Sequence, residues 1–359
     1  MIQHFHMAIE VLINKNKSIA IWCITPNGKD LGQKIQGRFK GSILFVSEKI
    51  WQDSRRDKNR VTFKKLSQEI HQQFNLFSGH IFIFSTGIAV RLIAPLLNSK
   101  ITDPAVVVVD DNGNHAIILI SGHLGGANIL ATKIATILDG IAVITTATDT
   151  NLLPAIDLIA KDKGLYIETP QNIKHINMAF LMGDSIEIYD PFGFIKKDLP
   201  ENFWINKINS DQATGSVFCS YETKNVSCET LVLRPPVLSV GIGCNRGTSH
   251  EEIKLFLFSV FKKEGLSLHS ICRLATSEIK RDETGLLSFS KELKIQIDFY
   301  NKKDLNSVKT IQTPSKMVEK HLGVKSVCEA AAILSSKNGN LIVSKNKNKD
   351  VTIAVAIKK

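Results

Sequence analysis

Short β-branched runs alternate with helical patterns through the first 146 residues. This alternation constrains the chain more than any other feature, because it is the pattern of helices laid on a largely parallel sheet. SIAIWCIT at 18–25 and SILFVS at 42–47 read as strands, with PNGKDLGQKIQ between them as a turn leading into a short helix. Residues 61–75 read as helical and HIFIFS at 80–85 as a strand, which STG turns into the helix GIAVRLIAPLL. AVVVVDDNGN and HAIILIS form two strands joined by a hairpin loop at DNGN. SGHLGG then opens the helix ANILATKIATIL, whose Ile129, Leu130, Ile134, Ile137 and Leu138 recur at helical spacing. Asp139-Gly140 stops that helix, and IAVITT reads as a further buried strand.

From about Ala147 to Leu233 the pattern changes. LLPAIDLIAKDKG and NIKHINMAFLMG read as helices, and SIEIYDPFG and VFCSYETK as strands of a small α+β unit. Arg234-Pro235-Pro236 is the clearest linker, since consecutive prolines continue neither a helix nor a central strand. Beyond it LSVGIG starts a new strand, Ser249-x-x-Glu252 and Ser326-x-x-Glu329 read as capping boxes, and VTIAVAIKK closes the chain as a strand. The expected fold class is α/β: two α/β domains with glycine-rich strand-to-helix turns, at 1–146 and 237–359, joined by a small α+β middle domain at 147–233.

The chain has 359 residues, too many for one ordinary core. No apolar run approaches the roughly 20 residues of a membrane helix. The opening stretch lacks the pattern of a signal peptide, so a cytoplasmic protein with no membrane partner is expected. Six cysteines stand without a C-x-x-C pair or a Cys/His cluster, which argues against a disulfide framework or a metal site of the protein's own. The formal charge of +11 suits nucleic acid, an anionic membrane or a small polyanion alike, and charge alone does not decide among them. Nucleic acid is not the expected partner, because no helix-turn-helix, zinc finger or RNP-type motif accompanies the charge.

Two turns carry the candidate chemistry. SGHLGGAN at 121–128 lies where a strand becomes a helix, so its N–H groups face outward at the positive end of a helix dipole and favour a carboxylate or phosphate. Ser121, Gly122, Gly125 and Gly126 belong to this cradle, the glycines letting a ligand approach the backbone. His123 inside it either exchanges a proton near neutral pH or only hydrogen-bonds the loop. Thr146 and Asp149 follow a strand at its carboxyl end, where open α/β sheets collect ligands. GIGCNRGTS at 241–249 repeats the design with Gly243, Cys244, Arg246 and Thr248. Arg246 is suited to clamp a carboxylate, Cys244 is a candidate thiol nucleophile, and Thr248 reads first as a cap. Arg91 and Lys280 are further cations for an anionic ligand, each equally readable as a surface partner of an acid.

Taken together, these segments resemble the cobalt-precorrin-5A hydrolase family, the CbiG type, of anaerobic cobalamin biosynthesis. GIAVRLIAPLLNSKITDPAVVVVDDNG, SGHLGGANILATKIATIL and ITTATD resemble its N-terminal domain, and LLPAIDLIAKDKGL the start of its middle domain. VGIGCNRGTSHEEI, LATSEIKRDETGLL, TPSKMVEKHLGVKSVCEAAAIL and VTIAVAIKK resemble its C-terminal domain in the same order. ATSEIKRDETGLL departs from an ATIDxKxDExGL-like stretch and SKNKNKDVT from a PKxKxxNVT-like one, with Lys280, Asp282 and Lys345 in place; residues 1–17 lie outside the resemblance. The resemblance implies a cobalt-bound tetrapyrrole polyanion as substrate and water as co-substrate. The reaction it implies opens a ring A acetate δ-lactone and releases C20 with its methyl as acetaldehyde. Cobalt comes with the substrate, so no cofactor is expected. In this reading His123, Thr146 and Asp149 do the chemistry, the Gly125 and Gly126 N–H groups stabilise an oxyanion or hold a carboxylate, and Arg91, Arg246 and Lys280 neutralise the peripheral carboxylates.

Overall fold

The computed structural model describes residues 18–51, 58–99, 102–123, 125–151, 153–205, 215–315, 319–320 and 322–358. Residues 1–17, Leu124 of the first glycine turn and 316–318 of the TPSKMVEKHLG stretch lie outside them. The chain divides into two compact units, 1–158 and 159–359. The expected α/β class is the class observed. Among the described residues no helix is long and apolar enough to cross a membrane.

The first unit is built on a seven-stranded sheet in the order β3-β2-β1-β4-β5-β6-β7. Its strands are β1 (Ile19–Cys23), β2 (Ile43–Ser47), β3 (Arg60–Phe63), β4 (Gly79–Ile83), β5 (Ala105–Val109), β6 (His115–Ile120) and β7 (Ile141–Val143). Helices α1 (Pro26–Gln36), α2 (Leu66–Gln73), α3 (Thr86–Ile93) and α4 (Ala127–Leu138) cover its two faces, and the short α5 (Ala147–Thr150) follows β7. Strand alternation divides the core. Ile21, Cys23, Ile81, Ile83, Val107 and Val109 pack with Ile35 of α1 and with Leu130 and Ile134 of α4. Ala20, Trp22, Phe45 and Phe82 turn the other way, onto Ile70 of α2 and Ile93 of α3.

Several expectations are corrected here. Residues 61–75 are not one helix: Val61 and Phe63 pair alongside β2, and Phe63 buries in the aromatic face, so the helix begins only at Leu66. PNGKDLGQKIQ is helical from its first residue, because Thr25 accepts from the Gly28 N–H and Pro26 opens the first turn. IAVITT is not a buried strand: β7 pairs only with β6, so it is an edge strand and Ile141 is 63% exposed. The hairpin at DNGN forms as expected, and it makes β6 antiparallel to β5. Because β7 runs parallel to β6, the carboxyl ends of β6 and β7 lie at the end of the sheet opposite those of β1, β2, β3, β4 and β5.

The second unit holds two five-stranded sheets, β10-β9-β11-β12-β8 and β15-β14-β13-β17-β16. The middle sheet comprises β8 (Tyr166–Ile167), β9 (Ile186–Tyr189), β10 (Trp204–Ile205), β11 (Ser216–Cys219) and β12 (Leu231–Arg234), with α6 (Ile156–Asp162) and α7 (Ile173–Met182) beside it in sequence. All its pairings are parallel except that of β12 with β8. The last sheet comprises β13 (Leu238–Cys244), β14 (Ile271–Ser277), β15 (Ile297–Tyr300), β16 (Asn340–Lys347) and β17 (Val351–Ile357). Its helices are α8 (His250–Lys263), α9 (Thr284–Leu293), α10 (Lys302–Ser307) and α11 (Val327–Ser335). Arg234 ends β12, where its guanidinium donates to the Ser220 carbonyl at 3.0 Å and pairs with Glu168, so the break in the chain is carried by the two prolines alone.

Ser249 and Glu252 form the expected capping box. Ser326 makes no side-chain cap. Glu329 is instead fully buried and accepts from the N–H groups of Gln312, Thr313 and Lys345 at 2.9, 3.1 and 2.9 Å and from the Thr313 hydroxyl. A carboxylate that joins two distant segments this way is unavailable to its own helix. Gly241 is fixed by packing: a Cβ there would meet the Cys328 carbonyl oxygen of α11 at 1.8 Å.

His80 gives the first unit a pH dependence. The ring is fully buried, accepts from Trp22 Nε1 at 3.1 Å through Nδ1, and donates from Nε2 to the Phe74 carbonyl at 3.0 Å. Burial lowers its pKa from 6.5 to about 4. Between those values the unfolded chain binds a proton that the folded one refuses, so stability falls as pH falls. Acidification from pH 7 to pH 4 is expected to cost about 3 kcal/mol through this group. Urea unfolding followed through Trp22 checks this, and His80→Phe is expected to flatten the dependence.

Candidate active site

β6 and β7 deliver two loops to one end of the first sheet, 121–126 leading into α4 and 144–146 leading into α5. Ser121 takes a φ of 59° and its hydroxyl donates to the Asp103 carbonyl at 3.0 Å, which ties the turn to the loop before β5. The N–H groups of Gly126, Ala127 and Asn128 donate to the carbonyls of His123, Ser121 and Gly122 at 3.0, 3.1 and 3.1 Å. These amides satisfy the turn itself. An oxyanion role for the Gly126 N–H therefore fails, because that hydrogen is already committed to His123. Two of the glycines answer to internal packing as well. A Cβ on Gly125 would stand 2.3 Å from Ser121 Cβ, and one on Gly122 would stand 2.5 Å from Asn128 Oδ1.

The same fold brings together the three residues expected to be catalytic. His123 Nε2 lies 3.3 Å from Asp149 Oδ2, the side chains being 14% and 33% exposed. Asn128, at the second position of α4, donates from Nδ2 to the same Asp149 oxygen at 2.7 Å and to Thr146 Oγ1 at 3.0 Å. Among the described residues no donor reaches Asp149 Oδ1. The result is a carboxylate with one oxygen anchored by Asn128 and close to His123, on the more exposed member of the pair.

Asn128 is absent from the set of site residues drawn from the sequence. Its signal was present: it is a polar residue in a helix whose Ala127, Leu130, Ala131, Ile134 and Ala135 are all buried. Arg91 does not join the site. Its guanidinium lies exposed along α3 and donates to the Gly87 carbonyl of its own helix at 3.0 Å.

The second turn, in the other unit, follows the carboxyl end of β13. Arg246 pairs with Asp282 at 2.7 Å on the surface and also donates to the Ile279 carbonyl. The Gly247 N–H donates to Glu283 Oε1 at 2.7 Å, and Lys280 Nζ to Glu283 Oε2 at 3.2 Å. Thr248 donates to the Asn245 carbonyl at 2.9 Å, so it closes the turn rather than capping α8, which Ser249 does. A Cβ on Gly243 would meet Thr352 Oγ1 at 2.5 Å. Burial pushes the Cys244 thiol up, outweighing nearby Lys280, which disfavours a thiolate nucleophile. Burial raises the Glu283 carboxyl too, but the Gly247 N–H and Lys280 outweigh it and hold it below its ordinary value. Both cations expected to bind substrate here already have acidic partners. Arg246, held by an exposed carboxylate, is the one of the two able to exchange its partner for an incoming anion.

The two glycine turns thus lie in separate α/β units, one closed by its own carbonyls and beside a histidine–carboxylate pair, the other closed by Glu283. Model domains described as cobalamin synthesis G N-terminal, cobalamin biosynthesis central region and cobalamin synthesis G C-terminus match residues 68–149, 154–235 and 238–356. A protein of Priestia megaterium named cobalt-precorrin-5A hydrolase is 32% identical over 96% of both chains. One of the same name from Salmonella typhimurium is 29% identical over 96% of this chain and 98% of its own. A probable cobalt-precorrin-5A hydrolase of Methanocaldococcus jannaschii is 30% identical over 77% of this chain and 85% of its own. The chain belongs to the CbiG family of cobalamin synthesis proteins.

The two ion pairs of the second turn differ in burial, the side chains of Lys280 and Glu283 being 12% and 5% exposed and those of Arg246 and Asp282 66% and 68%. Glu283→Ala strands Lys280 and the Gly247 N–H, and is expected to lower the unfolding midpoint of the second unit by roughly 5 °C or more. Asp282→Ala is expected to leave it within about 1 °C. Differential scanning calorimetry of both variants checks this.

Proposed function

We propose that this chain is a cobalt-precorrin-5A hydrolase. It opens the ring A acetate δ-lactone of a cobalt-bound tetrapyrrole and releases C20 with its methyl group as acetaldehyde, giving cobalt-precorrin-5B. The observation that carries this reading is the similarity, over almost the whole of both chains, to relatives bearing that name.

The histidine–carboxylate pair supplies what the reaction needs from a protein. Water adds to the lactone carbonyl and gives up a proton; the ring C–O bond breaks, leaving the acetate as a carboxylate and an oxygen with its proton on C20. That hydroxyl then loses its proton as the C20 carbonyl forms, and the electron pair of the C–C bond passes to the macrocycle, which takes up a proton. Overall one water is consumed and one acetaldehyde leaves. Asp149 Oδ1 is the basic atom in this scheme, because no described residue engages it and it sits on the more exposed side chain. His123, with Nε2 3.3 Å from Oδ2, orients the carboxylate and steadies the charge that moves through it. This assigns His123 the supporting part and Asp149 the proton transfer. Thr146, whose oxygen accepts from Asn128, directs its own proton towards the reacting oxygen.

The test is acetaldehyde release from cobalt-precorrin-5A. Wild-type protein is expected to release one equivalent, Asp149→Asn to lower kcat by about a hundredfold or more, and His123→Ala by less than Asp149→Asn. Tight binding of the tetrapyrrole by wild-type protein without aldehyde would overturn the hydrolase reading in favour of a carrier.

A further inference from the structure

We infer that Asn128 is the positioning residue of this site, holding Asp149 and Thr146 in their working orientations; the inference rests on the catalytic reading given above. Three observations carry it. First, both hydrogens of one Nδ2 group are used, at 2.7 Å on Asp149 Oδ2 and at 3.0 Å on Thr146 Oγ1. One rigid amide thereby sets the distance and angle between the two side chains. It also fixes the direction of both: Asp149 turns its remaining oxygen away from the amide, and Thr146, already an acceptor, must send its proton elsewhere.

Second, the carbonyl end of the same amide is left without a partner. Asn128 is only 8% exposed, and its Oδ1 is buried with no donor. A buried acceptor left unsatisfied costs about 1–3 kcal/mol. A residue kept for the fold alone would gain by becoming apolar, as Ala131 and Ala135 on the same face are. The asymmetry, with every hydrogen used and the oxygen orphaned, is that of a group retained as a donor.

Third, the turn is shaped around this amide. Asn128 Oδ1 sits where a Cβ at position 122 would be, 2.5 Å from the ideal position, and the Asn128 N–H donates to the Gly122 carbonyl at 3.1 Å. The glycine of SGHLGGAN and its asparagine therefore work as a pair: only a residue without a side chain at 122 leaves the amide room to reach Thr146 and Asp149. No motif scan of either position alone would join them.

Asn128→Asp tests the donor. It keeps the shape but sets a carboxylate against Asp149, and two carboxylates in contact do not both ionise. The expected result is a fall of tenfold or more in kcat at pH 7, KM within about threefold of wild type, and an acid limb of the kcat profile moved up by about one pH unit or more. Gly122→Ala should reproduce the fall in kcat without adding a charge, and so without moving the acid limb. It also serves if Asn128→Asp fails to fold. A lower unfolding temperature with kcat and its pH profile unchanged, in whichever of the two variants folds, would make Asn128 a packing residue and overturn the inference. The wild-type measurement separates the two readings: absence of aldehyde there counts against the hydrolase, whereas normal wild-type turnover with unaffected variants counts against Asn128.

Discussion

The hydrogen bonds of one aspartate decide where the candidate chemistry sits. Asp110 accepts from the Asn112 N–H at 3.0 Å and from the His115 N–H at 2.6 Å, and so closes the hairpin between β5 and β6. Up to that point every strand of the first sheet runs the same way. The hairpin reverses the direction, and β7 keeps the reversed sense by pairing parallel to β6. The turn after β6 therefore meets the loop after β7, which lets His123 reach Asp149. Had the chain crossed over to another parallel strand, the glycine turn would have emerged beside Thr25 and Ser85, at the other end of the sheet.

Much of this was legible in the sequence, for local reasons. Asp139 and Gly140 end α4 where a left-handed cap requires it, with Asp139 at φ 62°. DNGN marks the hairpin, and His123, Thr146 and Asp149 are identifiable as residues just past strand ends. What was not legible depends on contacts made far away in sequence. The helical pattern of 61–75 gives way to a strand because β2 offers Val61 and Phe63 an edge to pair with. Ser326-x-x-Glu329 has the spacing of a cap, but Glu329 is claimed by Thr313 and Lys345, 16 residues away on either side. Arg246 and Lys280 look like anion clamps until Asp282 and Glu283 are seen against them.

Internal satisfaction of loops recurs throughout. Asp103 gathers the N–H groups of Asn98 and Ser99, Asp190 those of Phe194, Ile195 and Lys196, Glu283 that of Gly247, and Glu329 three more. Each carboxylate replaces a run of regular hydrogen bonds where the chain leaves a strand or helix, and so keeps the polar backbone of a connection satisfied. The glycine turn at 121–126 does the same with carbonyls. Loops held in this way present their side chains in fixed places, which a site assembled from two connections requires.

The inward commitment of these acids bears on a property that composition alone describes poorly. The chain carries 45 lysines and arginines against 34 aspartates and glutamates. Several of the acids are turned towards backbone amides beneath the surface, whereas among the described residues Arg234 is the one buried lysine or arginine. With this excess of positive charge, the field met by an approaching polyanion is attractive on balance. Dissolved salt screens that outward field over about 10 Å and leaves the short internal contacts largely untouched, so ionic strength acts on the approach of a polyanion before it acts on the architecture.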